Sequence, residues 1–335
     1  MSKDLTTEDV RFIEETGDRT RELRNQLHQR IVGLEGPIDE LLCAVLAQGH
    51  ALLVGVPGLA KTLLISSLAE SLSLDFRRIQ FTPDLMPSDI TGATMIGRDK
   101  DTGEARFTFS KGPIFANMIL ADEINRTPPK TQAALMEALE ERQVTCAGEK
   151  HDLPSPFFVL ATQNPIEQEG TYQLPVAQLD RFMFMILVDY PSFEEEYQIM
   201  RLTTSSYQSE MKPVFSREEI LRLHDLCRRV RVSDALMRYA MELTRRTRAA
   251  NGGAPAFVRE WLAWGGGPRA TQYLILGAKA RALLNGRPDV THEDVRAMAL
   301  PVLRHRVMLS YHAEAEDLVP DEVIAELLDA TPAAV

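Results

Sequence analysis

Four short apolar runs, at 51–54, 117–121, 157–162 and 183–188, are set between longer stretches with helical spacing. Uninterrupted apolar runs of this length read as strands buried on both faces, and strands alternating with helical segments predict a parallel sheet covered by helices on both sides. Residues 1–30 are rich in charge and read as one or two helices. Ile31-Val32-Gly33 then opens the helix of Ile38-Asp39-Glu40-Leu41-Leu42. Tyr190-Pro191-Ser192 closes the last strand, and the pattern beyond is helical almost throughout. Helix starts with capping-box character fall at Ser216-Arg217-Glu218-Glu219 and Thr291-His292-Glu293-Asp294. The expected architecture is α/β: a core over 1–190, a parallel sheet between helices, followed by a small all-α domain over 191–335. Gly265-Gly266-Gly267-Pro268 is read as the turn that introduces a helix of that second domain. Short alternating runs flank Asp99-Lys100-Asp101-Thr102-Gly103 and predict a β-hairpin near 92–110. A second hairpin is expected near 143–155. Each hairpin is either an insert facing a partner or an exposed turn with no partner.

Composition bounds the class. The chain has 335 residues, 44% hydrophobic and 25% charged, which suits two globular parts with a sizeable core. No run approaches the length needed to span a bilayer, and the first residues, Met1-Ser2-Lys3-Asp4-Leu5, carry no apolar signal region. Cys43, Cys146 and Cys227 are far apart and are expected to be reduced, mostly buried thiols of a cytoplasmic protein. The seven histidines have no metal-site spacing, so no structural metal is expected. A net charge of −11 disfavours nucleic acid as a general partner. Arg228-Arg229-Val230-Arg231 and Arg245-Arg246-Thr247-Arg248 lie in helical stretches and read as solvated faces.

The chemistry begins after the first strand. Gly55-Val56-Pro57-Gly58-Leu59-Ala60-Lys61-Thr62 precedes a helix beginning Leu63-Leu64-Ile65. A strand, a glycine-bearing loop, Lys-Thr and a helix form the arrangement that cradles a nucleoside triphosphate. Lys61 then reaches the β- and γ-phosphates, and the Thr62 hydroxyl ligates Mg²⁺. The usual pattern has Gly where this chain has Ala60, because the backbone passes close to phosphate and favours a positive φ. Taken alone, the stretch also fits an ordinary strand-to-helix turn. The second apolar strand ends in Asp122-Glu123: Asp122 suits the metal, and Glu123 suits a general base for water. The simpler reading is that both cap the helix after Thr127-Pro128-Pro129. Asn164, at the tip of the third strand, is a candidate to hold water or sense the γ-phosphate; as Asn before Pro it is also a turn former. Arg181, in Leu179-Asp180-Arg181-Phe182, stands at the entry to the fourth strand, where an ordinary surface ion pair is the other reading.

Together these elements resemble the AAA+ ATPases, and within them the MoxR family. The residues that carry the resemblance are GVPGLAKT at 55–62, ADEINR at 121–126, ATQNP at 161–165, EGTYQLPVAQLDRF at 169–182 and GPRAT at 267–271. They span more than half of the chain, and Ala60 is itself typical of this family. The resemblance implies a nucleotide site of Ile31, Val32 and Gly33 near adenine, with Gly55, Pro57, Gly58, Leu59, Ala60, Lys61, Thr62 and Leu63 around the phosphates. It implies ATP and Mg²⁺ as ligands. Asn164 corresponds to the sensor-1 residue, Arg181 to the arginine finger entering a neighbour's site, and Arg269 to the sensor-2 arginine of the lid, acting in cis or across the interface. Val176 stands where relatives usually carry Glu, which bears on a subunit contact and not on the chemistry. The implied protein is an ATP-hydrolysing ring, a homo-hexamer, with chaperone-like remodelling or maturation of a protein client. The resemblance also implies a client with a von Willebrand factor A domain, in some cases prepared for metal insertion. The competing expectations are the ATPase subunit of a magnesium- or cobalt-chelatase-like complex, a nucleic-acid-stimulated motor, and an ATP-binding switch without turnover.

Overall fold

The computed structural model describes residues 5–98, 105–166, 170–205, 210–250 and 253–333. Glu169, the hairpin turn at 99–103 and residues 1–4 of the N-terminal stretch read above lie outside them. Two helices, α1 (Thr7–His28) and α2 (Glu35–Leu46), precede the first strand. The strands that follow are β1 (Ala51–Gly55), β2 (Phe76–Gln80), β3 (Gly92–Arg98), β4 (Ala105–Lys111), β5 (Met118–Asp122), β6 (Gln143–Cys146), β7 (Glu149–Asp152), β8 (Phe158–Gln163) and β9 (Phe184–Val188). Between them run α3 (Lys61–Ser71), α4 (Pro87–Thr91), α5 (Pro129–Glu141) and α6 (Val176–Leu179).

Five strands make one parallel sheet in the order β2-β5-β8-β1-β9. Successive side chains point to opposite faces, so each apolar run feeds two cores. Leu53, Leu120, Leu160 and Ile186 join one cluster, while Leu52, Ile119 and Val159 join the other. The first cluster runs on without a break into Leu274 and Val302, so the second part of the chain packs on the same apolar body as that face of the sheet.

The edge strand β2 is absent from the reading of the sequence. Its residues Phe76-Arg77-Arg78-Ile79-Gln80 bury only Ile79, and an edge strand with exposed arginines carries no apolar run to recognise. The two expected hairpins are present. β3 pairs with β4 from Gly92↔Lys111 to Arg98↔Ala105, and β6 pairs with β7. The hairpins lean on each other, with Phe109 stacked on His151 at 3.9 Å between ring centroids.

Beyond β9 come α7 (Phe193–Thr203), α8 (Arg217–Arg229), α9 (Asp234–Arg246), α10 (Ala256–Trp261), α11 (Pro268–Leu284), α12 (His292–Ala297), α13 (Ala299–Leu303), α14 (Tyr311–Ala315) and α15 (Pro320–Ala330). This part is not all-α as expected. Strands β10 (Leu262–Trp264) and β11 (Met308–Leu309) form a small antiparallel ribbon. Strands this short have no alternation to read, and only Leu262 of β10 is buried. The ribbon ends where Gly265 passes Thr247 so closely that a Cβ would lie 2.3 Å from the Thr247 carbonyl. Ser216 and Thr291 cap α8 and α12 with reciprocal bonds to Glu219 and Asp294. Cys43 and Cys227 are buried, Cys146 is half-buried, and none is bridged. Among the described residues no helix is long and apolar enough to cross a membrane, and no cluster of His, Cys, Asp and Glu suits a metal.

Candidate nucleotide site

The loop after β1 is shaped for an anion. Gly55 lies against β9, where a Cβ would fall 2.6 Å from the Val188 carbonyl, so only glycine fits. Gly58 has φ +87° and Ala60 has φ +53°, both left-handed. Ala60 caps α3 with no side-chain bond, and the first bond of the helix runs from Leu64 N–H to the Ala60 carbonyl. The N–H groups of Lys61, Thr62 and Leu63 therefore precede the helical ladder, at the positive end of the helix. The Lys61 ammonium donates to the Gly55 carbonyl, folding the side chain back over the loop.

Beside the loop is a cavity of about 660 Å³. Ile31, Val32 and Gly33 line it, together with Pro57, Gly58, Leu59, Ala60 and Leu63. Gly55 precedes this loop stretch, and Lys61 and Thr62 stand between Ala60 and Leu63. The size is that of a pocket for a nucleotide-sized ligand. Sequence reasoning missed the opposite wall, which Asp189, Tyr190, Glu195, Ile199 and Leu202 supply from the end of β9 and from α7. The signal was present: α7 has apolar residues at helical spacing yet buries none of them fully.

The acidic pair stands at the same end of the sheet as the loop, because β5 and β8 run parallel to β1. Asp122 accepts a bond from the Thr162 hydroxyl at 2.6 Å and pairs with Arg78 at 2.6 Å. Glu123 adopts φ +58° and leads a 3₁₀ turn over Ile124–Arg126, so its role as a cap of α5 is not what is seen. Its carboxylate accepts from Gln80 at 2.8 Å and pairs with Arg126 at 3.2 Å, and its N–H donates to Thr162 at 2.9 Å. Asn164 is buried beyond the end of β8, and its side-chain oxygen accepts from the Ile166 N–H at 3.2 Å. The hydroxyl of Thr62 and the carboxylate of Asp122 are hard oxygen donors, a donor set that fits Mg²⁺.

Arg181 and Arg269 stand elsewhere. Phe184 opens β9 opposite Ala51, and Val188 ends it opposite Gly55, so Arg181 precedes the sheet end remote from the loop. Arg269 is in the first turn of α11 and joins Arg181 there. The two guanidinium groups share one carboxylate: Arg181 meets Glu140 at 2.8 Å and Arg269 meets its other oxygen at 3.3 Å. Arg269 also pairs with Asp180 at 3.2 Å. The structure therefore divides the expected site in two. The loop, Asp122, Glu123 and Asn164 share one end of the sheet, and the two arginines share the other.

The family model for the ATPase family associated with various cellular activities (AAA) matches residues 50–184, and a model for the AAA lid domain matches residues 256–327. The chain is 44% identical over 299 residues to Chaperone MoxR1 of Mycobacterium tuberculosis, covering 89% of this chain and 78% of that one. It is 31% identical over 320 residues to Protein MoxR of Paracoccus denitrificans, covering 90% and 93%. A crystal structure from Cytophaga hutchinsonii ATCC 33406 superimposes with a TM-score of 0.86 at 39% identity, covering 96% of both chains.

Proposed function

The chain belongs to the MoxR family of AAA+ ATPases, and from that premise we propose that it hydrolyses ATP in a site completed by a neighbouring copy. One observation carries the reading: the phosphate loop and acidic pair stand at one end of the sheet while Arg181 and Arg269 are gathered at the other. A subunit so built offers half of a site on each side, and head-to-tail assembly joins the halves.

In this reading the adenine lies against Ile31, Val32 and Gly33, and the phosphates lie on the loop from Gly55 to Thr62, with Leu63 at its edge. Lys61 leaves the Gly55 carbonyl for the β- and γ-phosphates. Thr62 and Asp122 would hold Mg²⁺, which when bound would offset the negative charge of the triphosphate. Glu123 takes a proton from the attacking water, and Asn164 orients that water. From the neighbour, Arg181 and Arg269 meet the charge that develops on the transferred group, a task suited to a planar and permanently charged fork.

The client role rests on the relative that bears the name chaperone. We assign client contact to the paired hairpins, where Met95 and Ile96 are exposed. A protein with a von Willebrand factor A domain, met in the cytoplasm by a hexameric ring and in some cases prepared for metal insertion, is the client we propose. The core over 1–190 and the lid over 191–335 are the two working parts.

The test is Glu123→Gln. It should bind ATP with unchanged affinity and lose about 10²–10⁴-fold in turnover, the usual contribution of a general base. Turnover at the wild-type rate would remove Glu123 from the mechanism.

A further inference from the structure

The stretch that presents Arg181 takes four side-chain hydrogen bonds from one buried residue in the second part of the chain. The Arg306 side chain is 2% exposed. Its five N–H groups make five bonds: Nε to the Asp180 carboxylate at 2.8 Å, Nη2 to the carbonyls of Asp180 and Phe182, and Nη1 to those of Met183 and Val302. Four of the five acceptors belong to residues 180–183, on both sides of Arg181. An arginine has five donors in a fixed fork, so no other side chain can make this set.

The neighbours of Arg306 act on the same segment. His305 shares a hydrogen bond with the Phe182 carbonyl at 3.1 Å, and Arg304 donates to that of Met185 at 3.0 Å. Tyr273, on the helix that carries Arg269, donates to the Arg181 carbonyl at 3.4 Å, and its ring lies under the Arg306 guanidinium at 5.1 Å. Asp180 joins the parts together, because its two carboxylate oxygens meet Arg306 and Arg269 separately.

We propose that Arg306 is the positioning residue for the arginines that complete the neighbour's site, fixing the backbone on which Arg181 stands and, through Asp180, the guanidinium of Arg269. It touches neither nucleotide nor water itself. The inference rests on the reading of Arg181 given above. Burial sets the strength of the anchor. Inside the protein a bond to a charged donor is not competed away by water, and a carbonyl left without its donor stays unpaired. Geometry sets its consequence, since a displacement of about 1 Å at a group that meets the transition state costs on the order of a hundredfold in rate.

The experiment is a double-mutant cycle with Arg306→Lys, Arg181→Ala and the two together. ATP turnover is measured at saturating protein, with nucleotide affinity and assembly mass measured on the same samples. Lysine keeps the charge but offers three donors in place of five. We expect Arg306→Lys to bind ATP and assemble like the wild type while kcat falls between about tenfold and a hundredfold. In the Arg181→Ala background we expect the same change to slow turnover no further, beyond the small part that acts through Arg269. Wild-type kcat in Arg306→Lys would overturn the proposal, and so would a loss that multiplies in full with that of Arg181→Ala, the mark of a separate structural role. If Arg306→Lys fails to fold, Asp180→Asn, at a half-buried position, takes its place with the same expected pattern and the same refuting results. Wild-type turnover in Arg181→Ala alone would remove the premise, and the proposal with it, a result distinct from a failure of Arg306 to act through Arg181.

Discussion

Two inactive variants should restore activity to each other on mixing. Arg181→Ala keeps the phosphate loop and Glu123 but has no arginine to lend. Glu123→Gln lacks the base but still presents Arg181 to its neighbour. The geometry allows no rescue within one subunit. Ala51 to Gly55 is four strand rises, about 13 Å, and Arg181 lies three residues beyond the remote end of that span, outside the reach of a side chain. Alone, Arg181→Ala should lose about 10³–10⁵ in rate, and Glu123→Gln about 10²–10⁴. In an equal, randomly assembled mixture half of the subunits keep Glu123, and half of those face a neighbour that keeps Arg181. Turnover should therefore recover to roughly one quarter of the wild-type rate per subunit, whatever the ring size, if the sites act independently. The assay is steady-state phosphate release after the variants are unfolded from their assemblies, mixed and reassembled, with mass measurement to establish that mixed rings form. Mixed rings with no recovery would refute the placement of Arg181 in a neighbour's site.

Three further predictions follow from single positions. Ala60 holds φ +53°, which costs a residue with a Cβ about 1–2 kcal/mol, while Gly adds about 0.4–1 kcal/mol of disorder to the unfolded chain; Ala60→Gly should be neutral or stabilising, with Tm equal or up by about a degree or two, and a fall in Tm would count against the strain. Gly33 has φ +69°, and a Cβ there would lie 2.6 Å from a Glu195 carboxylate oxygen at the cavity wall; Gly33→Val should weaken ATP binding about tenfold by titration, with unchanged affinity as the contrary result. Burial raises the Glu40 carboxyl from 4.5 to about 7, with Arg304 opposing the shift and Asp321 and Asp39 adding to it. Because the folded value lies above the unfolded one, ionisation is disfavoured in the native state, and stability is lost as pH rises from about 4.5 through about 7. Glu40→Gln should be more stable than wild type by about 1–3 kcal/mol at pH near 8, with the gap closing near pH 5; a gap independent of pH would refute the assignment.

What was readable in the sequence follows from how local each signal is. The strands of the sheet centre announce themselves because residues such as Leu52, Leu53, Ile119 and Leu160 are fully buried, leaving uninterrupted apolar runs. β2 does not, since Arg77 and Arg78 face solvent at the sheet edge. The phosphate loop, Asp122-Glu123 and Asn164 are short motifs at strand ends, so the sequence offers each as a candidate, although each taken alone also fits a turn or a cap. The pairing of Arg181 with Arg269 through Glu140, and the hold of Arg306 on residues 180–183, join positions 41 to 129 residues apart and leave no periodic trace. Val176, exposed on the short α6, has no explanation in the contacts of a single subunit.

If Arg181 and Arg269 serve a neighbour's nucleotide, their separation from the phosphate loop at opposite ends of one sheet gives each subunit a leading and a trailing side. Stacked in an open row on that premise, the last member would have a nucleotide with no arginines, and the first would have arginines with no nucleotide. Only closure into a circle removes both orphans. A gap, a lost member or a row that grows without closing thus leaves one idle site at its end, and the idle site marks where the next subunit must join.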